Sequence, residues 1–489
     1  MKVEATVPSP PLSRVTIYAQ DSRVAPTCED TVEVSKIGRR LEGPRIGIWD
    51  QEVMKASADA QGNYLIGPER RQFDQVQAFV SAQQTLDLFE EHAERQLPWA
   101  FESTTLGVGP HAGEGANAYY QRFAESLSFY YFDSKALGKR VQTAQSADVV
   151  SHETGHAILD GLKPEYGHTF ERETRAFHEA FGDCAAMLLT LRRRSNCESI
   201  LQESGGDLSR ENCLSRLGEE FGFAVRRLNQ SPKDDRDYLR THLNDYLYVD
   251  PNSLPPDGPR DQLTGESYSF CQVWTRGFYH LIDGLFQRLG ASGPEALQTA
   301  GEVAGKLLTL GVEMSSPARA RFHQVAGAML RADELLYQGQ HRGILQAAFE
   351  RAGIQPETPA LPDFTWTAAP TNREQAQALV DQLLGPGYSL TRQLTGGRGL
   401  TFIEALRKEV RCLGPQAPGL SSEVAEGVTL TFDAQGKLVY QALDPRADGE
   451  ARGLLDEWAR PEGRMATWQQ LRPLADGTTL VARLPVFQD

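Results

Sequence analysis

His152-Glu153-Thr154-Gly155-His156 sets two imidazoles four residues apart, with a carboxylate beside the first. On a helix, positions i and i+4 share a face one turn apart, so both rings can address one ion. Glu153 can then reach a water on that ion without binding the ion itself. Imidazole nitrogen and carboxylate oxygen suit zinc, whose catalytic sites keep one position for water. Zinc brings the pKa of such a water to about 7, so hydroxide is available near neutrality. The chemistry expected of this set is metal-assisted hydrolysis with Glu153 as general base. A chance match to so short a pattern is the competing reading. The flanks weigh against chance. Val149 and Val150 precede the motif, and Ala157, Ile158 and Leu159 follow it, giving the helix an apolar side for burial.

A third ligand must come from another element. Thr174 to Leu189 reads as a second, largely buried helix. Glu179 and Asp183 lie four apart on it and share a face. Charged residues on so apolar a helix are rarely buried without a partner. A metal ligand, Glu179, and a carboxylate supporting the ligand shell, Asp183, account for both. The alternative is an ordinary solvated face that also holds Arg175.

The elements around these helices read as follows. Residues 12 to 70 hold short alternating stretches, such as Arg14 to Tyr18, punctuated by Gly and Pro. Phe73 to Glu94 has the apolar spacing of a long helix. Tyr119 to Phe132 is aromatic-rich and strand-like. From 145 to 352 the chain reads as mostly helical, apart from the loop Pro251 to Gly265. A boundary is expected at Pro356 to Pro362. Beyond it come helices at Arg373–Leu384, Thr401–Val410 and Gly449–Ala459, a hairpin of Val428–Phe432 with Leu438–Leu443, and a strand at Thr478–Leu484. The fold class expected is α+β in three parts. Residues 1–165 form a β-rich lobe ending in the motif helix. Residues 166–355 form a helical lobe with the third ligand, and 362–489 a small α+β module of unassigned role.

Taken together, these residues resemble the thermolysin-type gluzincin zinc metallopeptidases, with fungalysin-like features, over roughly 70 to 355. His178-Glu179-Ala180-Phe181-Gly182-Asp183 is similar to the family's Asn-Glu-Ala-x-x-Asp, where Glu binds zinc and Asp orients the first His. His178 stands where the family has Asn, which puts support of His156 in question. Asn117-Ala118-Tyr119-Tyr120 resembles the Asn-Ala-Phe-Trp edge strand. There the Asn side chain and the Ala carbonyl grip the substrate backbone by β-augmentation. Leu239-Arg240-Thr241 resembles the Leu-Arg-Ser whose Arg binds a substrate carbonyl. The family's spacing from that Arg to its transition-state His lands on Tyr268, and the Asp that orients the His corresponds to Leu263. Two readings stay open. Tyr268 replaces the His as oxyanion donor, its hydroxyl protonated at neutral pH with a pKa of ~10; or the chain is a slow or inactive relative. The family's second Tyr donor is matched by Tyr166, with His168 as the alternative. The resemblance implies a two-lobed fold with zinc in the cleft, one catalytic Zn2+ and a peptide or protein substrate. The family's calcium cage is not expected, because Asp148 matches one ligand but its partner position holds Thr190. The metzincin pattern is absent, since its Gly and His offsets hold Leu159 and Leu162. The activity expected is that of a zinc endopeptidase. The alternatives are a pseudo-peptidase that binds peptide or a partner, and a zinc aminopeptidase.

The apolar and charged fractions, 40% and 24%, are ordinary for a soluble globular chain. The net charge of −15 argues against a nucleic-acid partner. No apolar run is long enough for a membrane span. Met1 to Asp21 lacks the apolar core of a signal peptide, so a cytoplasmic location or a non-classical export route is expected. The six cysteines are scattered, with no Cys-x-x-Cys to suggest a thiolate site. Nothing in the sequence sets the oligomeric state.

Overall fold

The computed structural model describes residues 11–226, 237–259, 261–358, 368–412, 419–444, 469–474, 479–483 and 486–488. Within them the chain is mixed α and β. β1 (Leu12–Tyr18) and β2 (Thr27–Glu33) form an antiparallel hairpin whose Val15 and Ile17 point inward, as alternation requires. A short helix, α1 (Val34–Ile37), and β3 (Ile46–Ile48) lead to the long α2 (Arg71–Ala93). Then come β4 (Leu106–Gly109), β5 (Ala118–Gln121), β6 (Ser126–Phe129), β7 (Tyr131–Ser134) and β8 (Lys139–Gln142).

The motif helix α3 (Ala147–Leu162) is buried along its whole length, with α2 on one side and α4 (Arg172–Arg192) on the other. A helix without a solvent face must satisfy its polar side chains internally. Those of α3 therefore report on what surrounds it. α5 (Arg194–Ser204), β9 (Arg216–Leu217), α6 (Glu219–Arg226) and β10 (Arg240–Thr241) follow. Four more helices follow: α7 (Ser267–Arg288), α8 (Gly293–Met314), α9 (Phe322–Tyr337) and α10 (Arg342–Arg351). Behind α4, Trp274 is fully buried between Phe177, Phe322 and Phe349, with ring centroids 5.0, 5.4 and 4.7 Å away. This aromatic cluster fixes the α4 turn that carries Glu179. No helix among the described residues is long and apolar enough to cross a membrane.

The last part of the chain contains α11 (Arg373–Leu384), β11 (Ser389–Thr395), β12 (Thr401–Cys412), β13 (Leu420–Phe432), β14 (Leu438–Asp444), β15 (Gln469–Pro473), β16 (Thr479–Arg483) and β17 (Val486–Gln488). Helix α11 and the β13–β14 hairpin fall where the sequence pattern places them. The helix expected at Thr401–Val410 is instead the strand β12, paired along its length with β13. Thr401 to Leu406 are all buried, because this strand is covered on both faces. Ile403 and Ala405 join a small core with Leu379 and Val380 of α11, while Phe402 joins the main core. A strand buried on both sides loses the alternation that identifies strands, so its sequence imitates a helix. The helix expected at Gly449–Ala459 lies outside the described residues, as does part of the expected boundary.

The module is fastened to the motif helix. Lys163, one residue beyond α3, is fully buried, with Nζ 2.6 Å from Glu404 Oε1 on β12 and 2.8 Å from the Ser315 carbonyl. Burial pushes the Lys163 ammonium down from its ordinary value, against the opposing pull of Glu404. Thr429 on β13 also donates to the Ser315 carbonyl, at 2.6 Å. One five-stranded sheet runs β17-β5-β6-β4-β3, so the last described strand joins four strands from the first 130 residues.

Candidate metal centre

Two glycines set how closely α3 and α4 approach. A Cβ on Gly182 would fall 2.6 Å from His152 Nδ1, and one on Gly155 would fall 3.0 Å from the Ala185 Cβ. The His152 ring thus lies where any other residue at 182 would put its side chain. Ser146 caps α3, accepting from the Val149 N–H at 3.4 Å.

This contact brings the ligand candidates together. His152 Nε2 lies 3.4 Å and His156 Nε2 3.7 Å from Glu179 Oε2. One donor atom from each residue falls within 4.8 Å of the others, the only such group of His, Cys, Asp and Glu among the described residues. All three side chains are buried, and so is Glu153.

The opposite ring nitrogens are held by neighbours. His152 Nδ1 lies 2.8 Å from Asp183 Oδ1. Burial pushes the Asp183 carboxyl up, but the Arg240 guanidinium and the His152 ring outweigh it and hold it well below the usual carboxylate range. Ionised Asp183 only accepts, so His152 donates from Nδ1 and its Nε2 keeps a lone pair. His156 Nδ1 lies 2.8 Å from Nδ1 of the buried His178. If His156 donates in that bond, its Nε2 too keeps a lone pair. His178 therefore contacts the ring that the sequence comparison left without clear support.

Arg240 was expected on a substrate carbonyl. Its fork faces Asp183 instead, with Nη2 donating to Oδ1 at 2.7 Å and Nε to Oδ2 at 3.1 Å. Its Cζ lies 5.5 Å from the centre of the Tyr268 ring. Tyr268 sits in the first turn of α7, where Glu266 accepts from the Ser269 N–H at 3.1 Å and caps the helix. Arg240, Tyr268, Phe221, Leu239 and Gln272 line a cavity of about 300 Å³. Through Arg240 and Asp183 this cavity is two contacts from His152.

Other expected site residues are placed differently. Tyr166 is fully buried and its hydroxyl donates to the Ser316 carbonyl at 2.8 Å. Its one proton is committed to that carbonyl, which corrects its assignment as a second oxyanion donor. His168 is exposed, with Nε2 2.8 Å from Arg122 Nη1. Asn117 accepts from the Ala118 N–H through Oδ1 at 3.0 Å, and its carbonyl accepts from the Tyr130 N–H at 3.1 Å. Ala118 opens β5, which is not an edge: β6 pairs with one side and β17 with the other. Asp148 accepts from Gln20 Nε2 and the Gly218 N–H, at 3.1 and 3.2 Å, and from Thr190 Oγ1 at 3.4 Å. Burial raises its pKa to about 7.

The Arg240–Asp183 pair and the β5–β17 pairing were missed from sequence. The first had a signal, since a buried aspartate beside a ligand needs a compensating cation. The second had none, because a three-residue strand carries no local pattern. Comparison with protein-family models and with curated proteins finds no match to this chain.

Proposed function

We propose that this chain is a zinc-dependent endopeptidase of the thermolysin-type gluzincin class. One observation carries the reading: two helices bring His152 Nε2, His156 Nε2 and Glu179 Oε2 into one buried group, with Asp183 behind the first ring. Two neutral imidazoles and a carboxylate are a donor set that fits zinc. His152, His156 and Glu179 would hold the ion, and Asp183 and His178 would fix the two rings. When bound, zinc supplies Lewis acidity, acidifying water and polarising a carbonyl.

The remaining steps belong to the chain's own residues. Glu153 takes a proton from the attacking water and carries it to the leaving amine. Tyr268 donates its hydroxyl hydrogen to the carbonyl oxygen as that oxygen becomes an anion. Arg240, fixed by Asp183, lines the adjoining cavity and faces the substrate backbone. Once β17 leaves β5, Asn117 and Ala118 hold the peptide along that strand.

The test is metal content and a single substitution. Purified protein should contain one zinc per chain. Glu153→Gln should retain the metal while hydrolysis of a casein-like substrate falls by roughly 10²–10⁴. Protein without zinc, or hydrolysis undiminished in the variant, sinks the reading. Tyr268 standing where the family has its transition-state His favours a second reading, a peptide-binding relative without turnover. Bound peptide that is never cleaved by the zinc-loaded chain would identify it.

A further inference from the structure

β5 and β6 pair antiparallel, with Ala118 opposite Phe129 and Tyr120 opposite Leu127. On the other side of β5, β17 runs antiparallel, with Val486 opposite Gln121, Phe487 opposite Tyr120 and Gln488 opposite Tyr119. β6 holds one side of β5, so the side that β17 takes is the one an added strand would use, and two contacts set β5 beside the motif helix. The Tyr120 hydroxyl donates to Asp160 Oδ2 at 2.8 Å, near the end of α3. Thr143 Oγ1, just before α3, donates to the Asn117 carbonyl at 3.2 Å. β5 therefore runs alongside α3 in the same sense, past the stretch that carries His152 and His156.

A strand edge offers one row of N–H and C=O groups, and one extended chain fills it. We propose that residues 486–488 are a cis-acting inhibitory strand, which occupies the side of β5 where an extended peptide would add and must leave before that peptide enters. The consequence for turnover rests on the peptidase reading; the competition for β5 does not.

Two features suit β17 to this role. It is three residues long, and a pairing so short is marginal on its own. It also follows β16 by only two residues, and β16 is paired parallel to β13 in the sheet anchored through Lys163 and Glu404. A short tether of this kind presents a segment at millimolar effective concentration. The strand is thus weak enough to displace and concentrated enough to compete. An incoming peptide binds only the fraction of molecules whose β5 is open, and its apparent affinity falls by that fraction.

The test uses a fluorescein-labelled synthetic peptide of residues 483–489. It is titrated into the full chain carrying Glu153→Gln, with and without the added pair Val486→Pro and Phe487→Pro. Ladder hydrogen bonds alternate along a strand, so one of these two prolines must remove an N–H that faces β5. The proline chain should bind the peptide at least about tenfold more tightly. A chain ending at Arg483 is a second opened form, and zinc content and circular dichroism check the folding of each. Equal affinity in closed and opened chains, or binding by neither, overturns the proposal. With Glu153 restored, opened chains should show a lower KM for a casein-like substrate at unchanged kcat. Opened chains that bind peptide more tightly yet hydrolyse nothing would support the competing strand and overturn the peptidase reading instead.

Discussion

His152 and His111 are both buried imidazoles set against aspartates, yet only one belongs to a ligand group. His111 lies between two carboxylates, with Nδ1 2.7 Å from Asp50 Oδ2 and Nε2 2.8 Å from Asp74 Oδ2. Both nitrogens are taken, from opposite sides. Burial pushes the His111 pKa down, but the two carboxylates outweigh it and raise it. His152 has an aspartate on Nδ1 only, while Nε2 faces Glu179 beside His156. The residue types are nearly the same. The difference is convergence: helical spacing puts a second ring on the same side of His152, whereas the partners of His111 come from separate elements on opposite sides. A histidine clasped by carboxylates from opposite sides pins structure together; one oriented through Nδ1, whose Nε2 converges with a second ring and a carboxylate, has the arrangement of a ligand.

Four experiments would break or sharpen that contrast. The largest effect is expected at the structural histidine. His111→Ala leaves Asp50 and Asp74 buried without their shared partner, and should cost about 3–5 kcal/mol in urea unfolding while zinc content stays unchanged. Loss of zinc in this variant would erase the distinction between the two sites. Next, the cavity lined by Arg240 and Tyr268, reached from His152 through Asp183, should be where substrate reacts. Tyr268→Phe is expected to lower turnover by about 10²–10³ with the metal retained. Unchanged turnover would remove Tyr268 from the chemistry. Third, Asp183→Asn should weaken zinc binding by roughly 10–100-fold in a chelator competition. Asp74→Asn should leave it unaltered, and equal losses in both variants would contradict the contrast.

The smallest effect is a pH trend. The folded pKa of His111 is raised above the unfolded value of about 6.5, so the folded state holds the proton more tightly. This contribution is complete below about pH 6.5 and is lost as pH rises through the folded pKa. Hydrogen bonds hold the Asp50 pKa at about 2 against the upward push of burial, chiefly bonds from His111 and Gln75. Its contribution is present above the unfolded value of about 3.9 and fades as pH falls through about 2. The cluster should therefore stabilise most between about pH 4 and 6.5. Urea midpoints across pH should fall more steeply above 6.5 in the parent chain than in His111→Ala; parallel curves would refute this.

Legibility followed distance along the chain. α2, α11 and the β13–β14 hairpin were readable because each is encoded within one window, by apolar period or by turn residues. β12 was misread because its two covers, α11 and the main core, come from elsewhere and erase its alternation. Tyr166 was misassigned for a similar reason: its hydroxyl meets a carbonyl 150 positions away.

The sequence by itself determined the ligand-bearing pattern. Helical geometry is local, so four-residue spacing alone puts His152 with His156, and Glu179 with Asp183, on shared faces. Tertiary structure decided everything that crosses between elements. It packed Gly155 and Gly182 so that the two faces meet, joined Arg240 to Asp183, and set His178 against His156. It also laid residues 486–488 along β5, where a peptide was expected. Backbone pairing is indifferent to sequence separation, so no local pattern could have announced that strand.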